Sequence, residues 1–390
     1  MLSDKLFAYF AAMFRVLILF FTALFITHLS FAQTDTSHLR ISLLTCGTGV
    51  EPWETFGHTA IRVTDSTTHQ DIVYNYGTFA FGEDFLLQFT QGKLLYYLSF
   101  YPFENFVQEY AQAKRSITEQ ELHLPGIAKS AVYEYLTWNA MDEHKYYKYD
   151  FFLDNCATRI RDVFQRALGA SFQFGNALPK GQSLTYRQLM NQYFYRVHWQ
   201  RFGVNLLLGS KIDKVMTNDD CMFLPDCLQQ AVSSATYKSQ RVAGSPVLVL
   251  DAPKPLPAGI NQPLLLTLAI ALLTMLGLVI PGWKKLGQVM TFLLLFLSGF
   301  IGCFILMMWF ATDHQACQNN YNLLWALPTN LILAFAPKRK KCRYTIIATI
   351  LLILSLLLHF FHVQQLPILE LSPLLIALVA VYVSICKKSK

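Results

Sequence analysis

Charge is scarce in this chain. Of its 390 residues only 15% are Asp, Glu, Lys or Arg, against 53% hydrophobic, which excludes a wholly soluble protein. Acids are scarcest toward the end, where residues 263–390 hold only Asp313 and Glu370. No Gly-rich phosphate loop and no Ser nucleophile elbow is present, so nucleotide-dependent and serine-hydrolase chemistry have no foothold. His58 has no second His or Cys at zinc spacing, so no metal site is expected, and no cofactor is called for. No internal repeat or low-complexity tract occurs. The formal net charge is +7, but the excess of base lies in residues 263–390, and the stretch 33–262 is slightly acidic. The basic balance is therefore a topology signal and gives no support for nucleic-acid binding.

Long apolar runs occupy both ends. Lys5 and Arg15 precede the run Val16 to Leu29, and Ser30-Phe31-Ala32 offers small residues at the −3 and −1 positions of a cleavage site. Residues 1–32 thus read as a secretory signal or, uncleaved, as an anchor helix; either one exports the chain from residue 33 onward. After residue 262 come five apolar segments, Pro263–Ile280, Leu286–Phe310, Leu323–Ala336, Tyr344–Phe361 and Leu366–Cys386. A span needs about 20 apolar residues, so four are convincing. The third is short and contains Pro328, which predicts a thin or broken span or a re-entrant segment. Lys284, Lys285, Lys338 to Lys341, Arg343 and the tail Lys387, Lys388 and Lys390 lie in alternate loops, and Thr312–Asn322 and His362–Gln365 hold no Lys or Arg. The bias puts the tail inside and residues 33–262 outside. An odd number of spans, five, agrees with the exported start.

Residues 33–250 read as one α+β domain, joined to the membrane region 263–390 by a proline-rich linker, 251–262. Ile41–Thr45, His58–Thr64 and Asp71–Tyr76 are β-branched or aromatic stretches between turn residues and predict strands. Phe103–Lys114, Ile127–Ala140 and Cys156–Leu168 predict helices; in the last, Ala157, Ile160, Phe164 and Ala167 share a face and Gly169 caps the end. Along the His58 strand, Thr59, Ile61 and Val63 point to the core, which leaves His58, Ala60 and Arg62 toward a polar cleft.

Cys156 follows Asp154-Asn155 and opens a helix, where unpaired N–H groups and the helix dipole favour thiolate. With His58 it supplies the parts of a thiol-based acyl-transfer enzyme: His58 removes the thiol proton and the thiolate attacks an acyl carbonyl. Asn75 is the candidate for fixing the His tautomer; alternatively it is a turn residue before Gly77. The N–H of Cys156 is placed for an oxyanion. Asn155 or Asp154 could support the site or simply cap the helix. Glu51 and Glu54 could bind an amine or orient His58, or form a solvated helical turn. Arg115, Glu119 and Gln120 have no derivable role. Asp313 and His314, followed by Asn319, Asn320, Asn322 and Trp325, could form a second half of the site at the lipid surface or a polar loop with an interfacial Trp. Cys221 and Cys227 predict a local disulfide. A Cys46–Cys156 bridge would instead remove the nucleophile and leave a non-catalytic membrane receptor. A cell-wall amidase or peptidase would use the same dyad with water as acceptor, but has no need of several spans.

Leu44-Thr45-Cys46-Gly47, Glu54-Thr55-Phe56-Gly57-His58, Tyr74-Asn75-Tyr76-Gly77, Gly92-Lys93-Leu94, Arg115-Ser116, Glu119-Gln120 and Asp154-Asn155-Cys156-Ala157-Thr158-Arg159 occur in that order. They resemble the extracytoplasmic domain of the Bacteroidota lipoprotein N-acyltransferase (Lnb) family, over about residues 38–200. Asp313-His314 and Asn322-Leu323-Leu324-Trp325 with Pro328 resemble its membrane half. The His-then-Cys order is also similar to circularly permuted papain-like folds, including the lecithin:retinol acyltransferase group, where the resemblance implies a Cys nucleophile and a His base. The family implies that a phospholipid donates an acyl chain to Cys156, and that the α-amine of a diacylglyceryl-cysteine lipoprotein then takes it. Site and substrates would meet at the outer leaflet of the bacterial inner membrane, with Asn155, Glu51, Glu54, Arg159, Asp313 and His314 as supporting residues.

Overall fold

The computed structural model describes residues 38–80, 82–178, 182–253, 258–335 and 342–389. The apolar amino-terminal segment expected to be a signal, the middle of the proline-rich linker and the basic residues Lys338 to Lys341 lie outside this range.

The chain opens with an antiparallel meander, β1 (Leu39–Cys46), β2 (His58–Asp65) and β3 (Gln70–Phe79). It continues through α1 (Phe85–Gln91), β4 (Leu95–Pro102), α2 (Phe103–Gln112), β5 (Ile117–Leu122), α3 (Gly126–Asn139), β6 (Tyr146–Lys148) and α4 (Cys156–Leu168). Two-residue strands at β7 (Phe172–Gln173), β8 (Thr236–Tyr237) and β9 (Gln240–Arg241) form a small separate sheet. Between them run α5 (Tyr186–Tyr193), α6 (His198–Leu207), α7 (Asn218–Cys221) and α8 (Pro225–Ser233). A late strand, β10 (Val247–Leu250), returns to the main sheet, whose order is β10-β5-β1-β2-β3-β4-β6.

The main sheet is covered on both faces. Ile41, Leu43, Ile61, Val63, Tyr74, Tyr76 and Leu98 share a core with Val132, Leu136, Ile160 and Phe164 of α3 and α4. Each such large side chain withdrawn from water contributes roughly 1.5–3 kcal/mol. Leu44, Cys46, Ala60, Val73 and Ile117 face the other way, against Phe106 and Tyr110 of α2. This corrects the expectation that the His58-Ala60-Arg62 face opens on a polar cleft. Ala60 is fully buried. Arg62 grips Asp71 with two hydrogen bonds of 2.7 and 2.6 Å and Glu119 with one of 2.8 Å, under the ring of Phe103. His58, at the mouth of the strand, is half-buried, as is Arg62, but it is not gripped by an ion pair.

In the membrane half, α9 (Gln262–Val279), α10 (Lys284–Phe310), α12 (Cys342–Phe360) and α13 (Ile368–Ser389) are long and apolar enough to cross a bilayer. The third apolar segment differs from them. It begins as a 3-10 turn at Tyr321–Leu324, passes Pro328 and ends in the seven-residue α11 (Thr329–Phe335). Phe335 nevertheless packs on Phe292 and Phe296, in the first half of α10. The segment therefore descends well into the bundle without forming a long helix. Irregular backbone at such depth needs internal partners. The N–H groups of Trp325 and Ala326 donate to the Asn322 carbonyl and that of Asn330 to the Leu327 carbonyl. The Asn330 side chain ties the segment to its neighbours: its Nδ2 donates to Ser298 Oγ, and its Oδ1 accepts from the hydroxyls of Tyr344 and Tyr382.

A disulfide joins Cys342 to Cys386, at the start of α12 and near the end of α13. It brings together chain ends that carry Arg343 and Lys387, which the charge bias assigns to the inner face. A disulfide on that side is unexpected, because cytosolic thiols are kept reduced. Cys221 and Cys227, expected as a disulfide, instead lie buried with their thiols in hydrogen-bonding contact and are not joined.

Candidate active site

The mouth of β2 is shaped by glycine. Gly57, immediately before His58, has φ +76°, and a Cβ there would lie 2.6 Å from the Cys46 carbonyl oxygen. Gly77 has φ +97° and sits where the β3–β4 register shifts, between Asn75 and Thr78. Positive φ at both positions favours glycine. The Cβ position of Gly77 is 3.5 Å from His58 Cε1 and 3.8 Å from Cys156 Cβ. The irregularity thus forms the floor on which a residue of the sheet meets the first residue of α4.

The start of α4 is fixed by Asn155. Its Oδ1 accepts from the N–H groups of Ala157 and Thr158, and its Nδ2 donates to the carbonyls of Phe151 and Phe223. Asn155 is buried and its polar atoms are used in holding the helix start, which is the capping role rather than a direct site role. Asp154 and Arg159 form a bidentate ion pair beside the Tyr147 ring. That accounts for the Arg159 guanidinium without contact to the thiol.

Cys156 is half-buried and unbridged, and Cys46 is also a free thiol. Burial pushes the Cys156 thiol up. The positive charge of His58, its hydrogen bond and the N–H groups of Thr59 and Ala157 more than offset this, leaving the thiol below its ordinary value. The reciprocal holds for His58. Burial lowers its pKa, but the charge and hydrogen bond of Cys156 and the hydrogen bond to Asn75 raise it above the ordinary histidine value. Cys46 pairs with His58 across β1 and β2 yet behaves oppositely, because burial dominates and pushes its thiol up to about 12. One thiol of the two is therefore tuned toward thiolate.

His58 Nε2 lies 2.6 Å from Asn75 Oδ1. An amide oxygen only accepts, so Nε2 carries the proton and Nδ1 is the nitrogen left for the thiol. Asn75 Nδ2 donates to the Tyr101 hydroxyl at 3.0 Å, which donates to Glu109 Oε2 at 3.2 Å. The Tyr110 ring stacks on the imidazole at 6.5 Å. Tyr101, Glu109 and Tyr110 form a surround that the sequence alone does not single out, and Gly77, named there only as the neighbour of Asn75, is its floor. A signal is nevertheless present: Tyr101 lies just before the predicted helix Phe103–Lys114 and Glu109 lies within it.

The remaining candidates lie outside this cluster. Glu51 is exposed; its N–H is 3.3 Å from Glu54 Oε2 in a short 3-10 turn. Glu54 accepts from Arg115 Nη1 at 3.3 Å, and Arg115 Nε donates to the Gly47 carbonyl at 2.8 Å. Glu54 and Arg115 thus brace the loop before His58 instead of touching its ring. Asp313 and His314 serve as a latch. Asp313 pairs with Lys148 at 2.6 Å, its N–H donates to the Gln91 carbonyl, and His314 Nε2 donates to the Phe89 carbonyl at 3.0 Å. Asn320 and Asn322 donate to the Leu206 carbonyl at the end of α6. The outer loop of the bundle is thus spent on docking the sheet domain. Among the described residues no three His, Cys, Asp or Glu converge in a way that could hold a metal ion.

This geometry can perform thiol nucleophilic catalysis: a tuned thiol, an imidazole at its sulfur and an amide that fixes the tautomer. No curated protein and no solved structure matches the chain. Two family models do, the Lnb N-terminal periplasmic domain over residues 27–192 and the Lnb transmembrane domain over residues 257–390. The chain belongs to the Lnb family and is a membrane protein with an extracytoplasmic domain.

Proposed function

From membership of that family, we propose that the protein is a lipoprotein N-acyltransferase of the bacterial inner membrane, with Cys156 as nucleophile. The observation that carries this reading is the meeting of Cys156 and His58 over Gly77, with His58 Nε2 2.6 Å from Asn75 Oδ1, in a chain whose described residues include four helices long and apolar enough to cross a membrane. In the first half-reaction the Cys156 thiolate attacks the ester carbonyl of a phospholipid. The C–O bond breaks, the His58 imidazolium gives its proton to the leaving alkoxide, and a thioester and a lysophospholipid result. In the second, the α-amine of a diacylglyceryl-cysteine attacks the thioester. Neutral His58 accepts the amine proton, the C–S bond breaks, and an amide and the restored thiolate remain.

Both tetrahedral intermediates carry an oxyanion. The N–H of Cys156 is the first of α4 and has no intrahelical acceptor, so it is a ready donor there. Asn75 keeps His58 Nδ1 free to move protons at the sulfur. Both substrates are lipids of one leaflet, and tethering the site to spans replaces a bulk search by a local one.

The test replaces Cys156 by Ala in cells lacking the native copy and weighs a mature lipoprotein N-terminus. The expected result is the loss of one acyl mass, with transfer slowed on the order of 10⁴-fold or more. An unchanged acyl count in a folded variant rejects the acyltransferase reading and favours a hydrolase.

A further inference from the structure

The short helix α1 has a composition unlike its surroundings. Its seven residues, Phe85-Leu86-Leu87-Gln88-Phe89-Thr90-Gln91, carry no charge. Leu87 and Phe89 are 57% and 49% exposed. Leu87 and Phe89 stand two residues apart and so leave different sides of the helix, which a medium surrounding the helix covers and a single facing surface does not.

The position of α1 identifies the cover. The helix ends at Gly92, φ +68°, where a Cβ would stand 3.2 Å from the His314 nitrogen and 3.3 Å from the Asp313 carbonyl carbon. The Asp313 N–H donates to the Gln91 carbonyl at 2.8 Å, and the His314 ring donates to the Phe89 carbonyl. Asp313 is three residues beyond Phe310, the last residue of membrane helix α10. Three residues reach at most about 10 Å, so the latch holds α1 at the outer surface of the bilayer.

From α1 a row of aromatic rings runs inward. Phe89 stacks on Phe85 at 6.0 Å, Phe85 on Phe79 at 5.4 Å, Phe79 meets Tyr96 at 5.0 Å, and Tyr96 stacks on Tyr149 at 4.3 Å. After Tyr149 the chain folds back, with Asp150 and Asp154 exchanging backbone hydrogen bonds of 3.1 and 2.9 Å. That returns it to Asn155 and the first residue of α4. The row therefore begins at the lipid surface and ends at the loop that presents the nucleophile.

We propose that α1 inserts Leu87 and Phe89 into the outer leaflet and that the row Phe89, Phe85, Phe79, Tyr96 and Tyr149 guides one long acyl chain of a phospholipid from the bilayer to Cys156. The proposal rests on the acyltransferase reading above and assigns its donor path. Phe89, Phe85 and Phe79 offer an acyl chain apolar faces, and Tyr96 and Tyr149 add ring faces that carry a hydroxyl only at the tip.

The test uses the full-length protein in phosphatidylethanolamine–phosphatidylglycerol vesicles, with Cys156 acylation followed by intact mass. Two donors are compared, the vesicle phospholipid and a water-soluble acetyl ester. In the Leu87→Asp, Phe89→Asp variant the ratio of phospholipid to acetyl-ester acylation should fall at least tenfold; Phe79→Ala should lower it in the same direction. A ratio within twofold of the parent overturns the path. A second measurement does not require turnover. Tryptophan placed by Phe89→Trp should add emission that brominated lipid in the same vesicles quenches, and an unquenched increment overturns insertion. If the parent forms no acyl-enzyme from phospholipid but does from the soluble ester, the acyltransferase reading falls and the path with it.

Discussion

Two polar clusters in the extracytoplasmic half follow opposite rules. Around Arg187 every guanidinium nitrogen has an acceptor: Asp213 takes two bonds of 2.9 and 3.0 Å, Asn205 offers its side-chain oxygen and carbonyl, and the carbonyls of Leu208 and Gly209 take the rest. Both charged side chains are 1% exposed. Around Cys156 the side-chain partners run in single file, Cys156 to His58 to Asn75 to Tyr101 to Glu109, and the head of the file is half-buried. The first cluster shapes a loop that receives Asn320 and Asn322 from the membrane half. In the second, the two leading groups each shift the other's ionisation. A buried charge whose donors are all matched fixes geometry; a pair that trades a proton and keeps an open side can do chemistry.

The largest effect expected from this contrast is on stability. Arg187→Met leaves Asp213 buried without its partner, which costs about 3–5 kcal/mol. Denaturant unfolding of the extracytoplasmic half should show it as a lower midpoint. The alkylation pH profile of Cys156 in the remaining folded protein should match the parent. A variant as stable as the parent would break the comparison, because the matched cluster would then not hold the loop.

The next effect is on reactivity. Thiolate appears as pH rises through the depressed pKa of Cys156, so its alkylation by iodoacetamide should reach half-maximum below the ordinary thiol value. Cys46, held at about 12, should stay unlabelled throughout that range. Above the raised pKa of His58 the imidazolium is lost, and the leaving alkoxide of the first half-reaction loses its acid. Asn75→Ala removes the hydrogen bond that helps raise His58. The His58 pKa should fall, the Cys156 midpoint should rise, and transfer should slow by about 10- to 100-fold, as expected for a lost bond to a charged group of roughly 1.5–3 kcal/mol. An unchanged midpoint with slowed transfer would assign Asn75 a role other than holding the imidazole.

Much of this contrast is legible from the sequence, and the rest is hidden for identifiable reasons. The strands around His58 and Asn75, the helix from Cys156 to Leu168 and the broken third apolar segment all derive from local periodicity and turn residues. Alternation along β2 identifies the core face correctly, but it cannot show that α2 closes the other face, because that depends on Phe106 and Tyr110 arriving from 44 or more residues beyond Arg62. Tyr101 and Glu109 join the site through the same long-range packing. Arg187 and Asp213 carry no signal at all, being an Arg and an Asp in polar sequence. Asp313 and His314 are site candidates from their outer loop and the family resemblance, which do not show their partners Lys148, Gln91 and Phe89, more than 160 residues away.

Asn155 sharpens the comparison most closely, because it adjoins the nucleophile and still belongs to the matched kind. Its oxygen serves two N–H groups and its nitrogen two carbonyls, so nothing is left over for a substrate. Asn155→Ala removes a cap and should cost about 1–2 kcal/mol, seen as a lower unfolding midpoint. The Cys156 alkylation midpoint should move less than it does in Asn75→Ala, since the His58 partner is untouched. Asn155→Asp separates the two halves of its role. The carboxylate keeps the cap acceptor, but it loses both donors to Phe151 and Phe223 and places a negative charge beside the sulfur. Its alkylation midpoint should therefore rise above that of Asn155→Ala, because a neighbouring negative charge disfavours thiolate. If Asp proved the better tolerated substitution in both stability and reactivity, the donors to Phe151 and Phe223 would be dispensable, and Asn155 would have to be moved from the matched cluster to the reactive one.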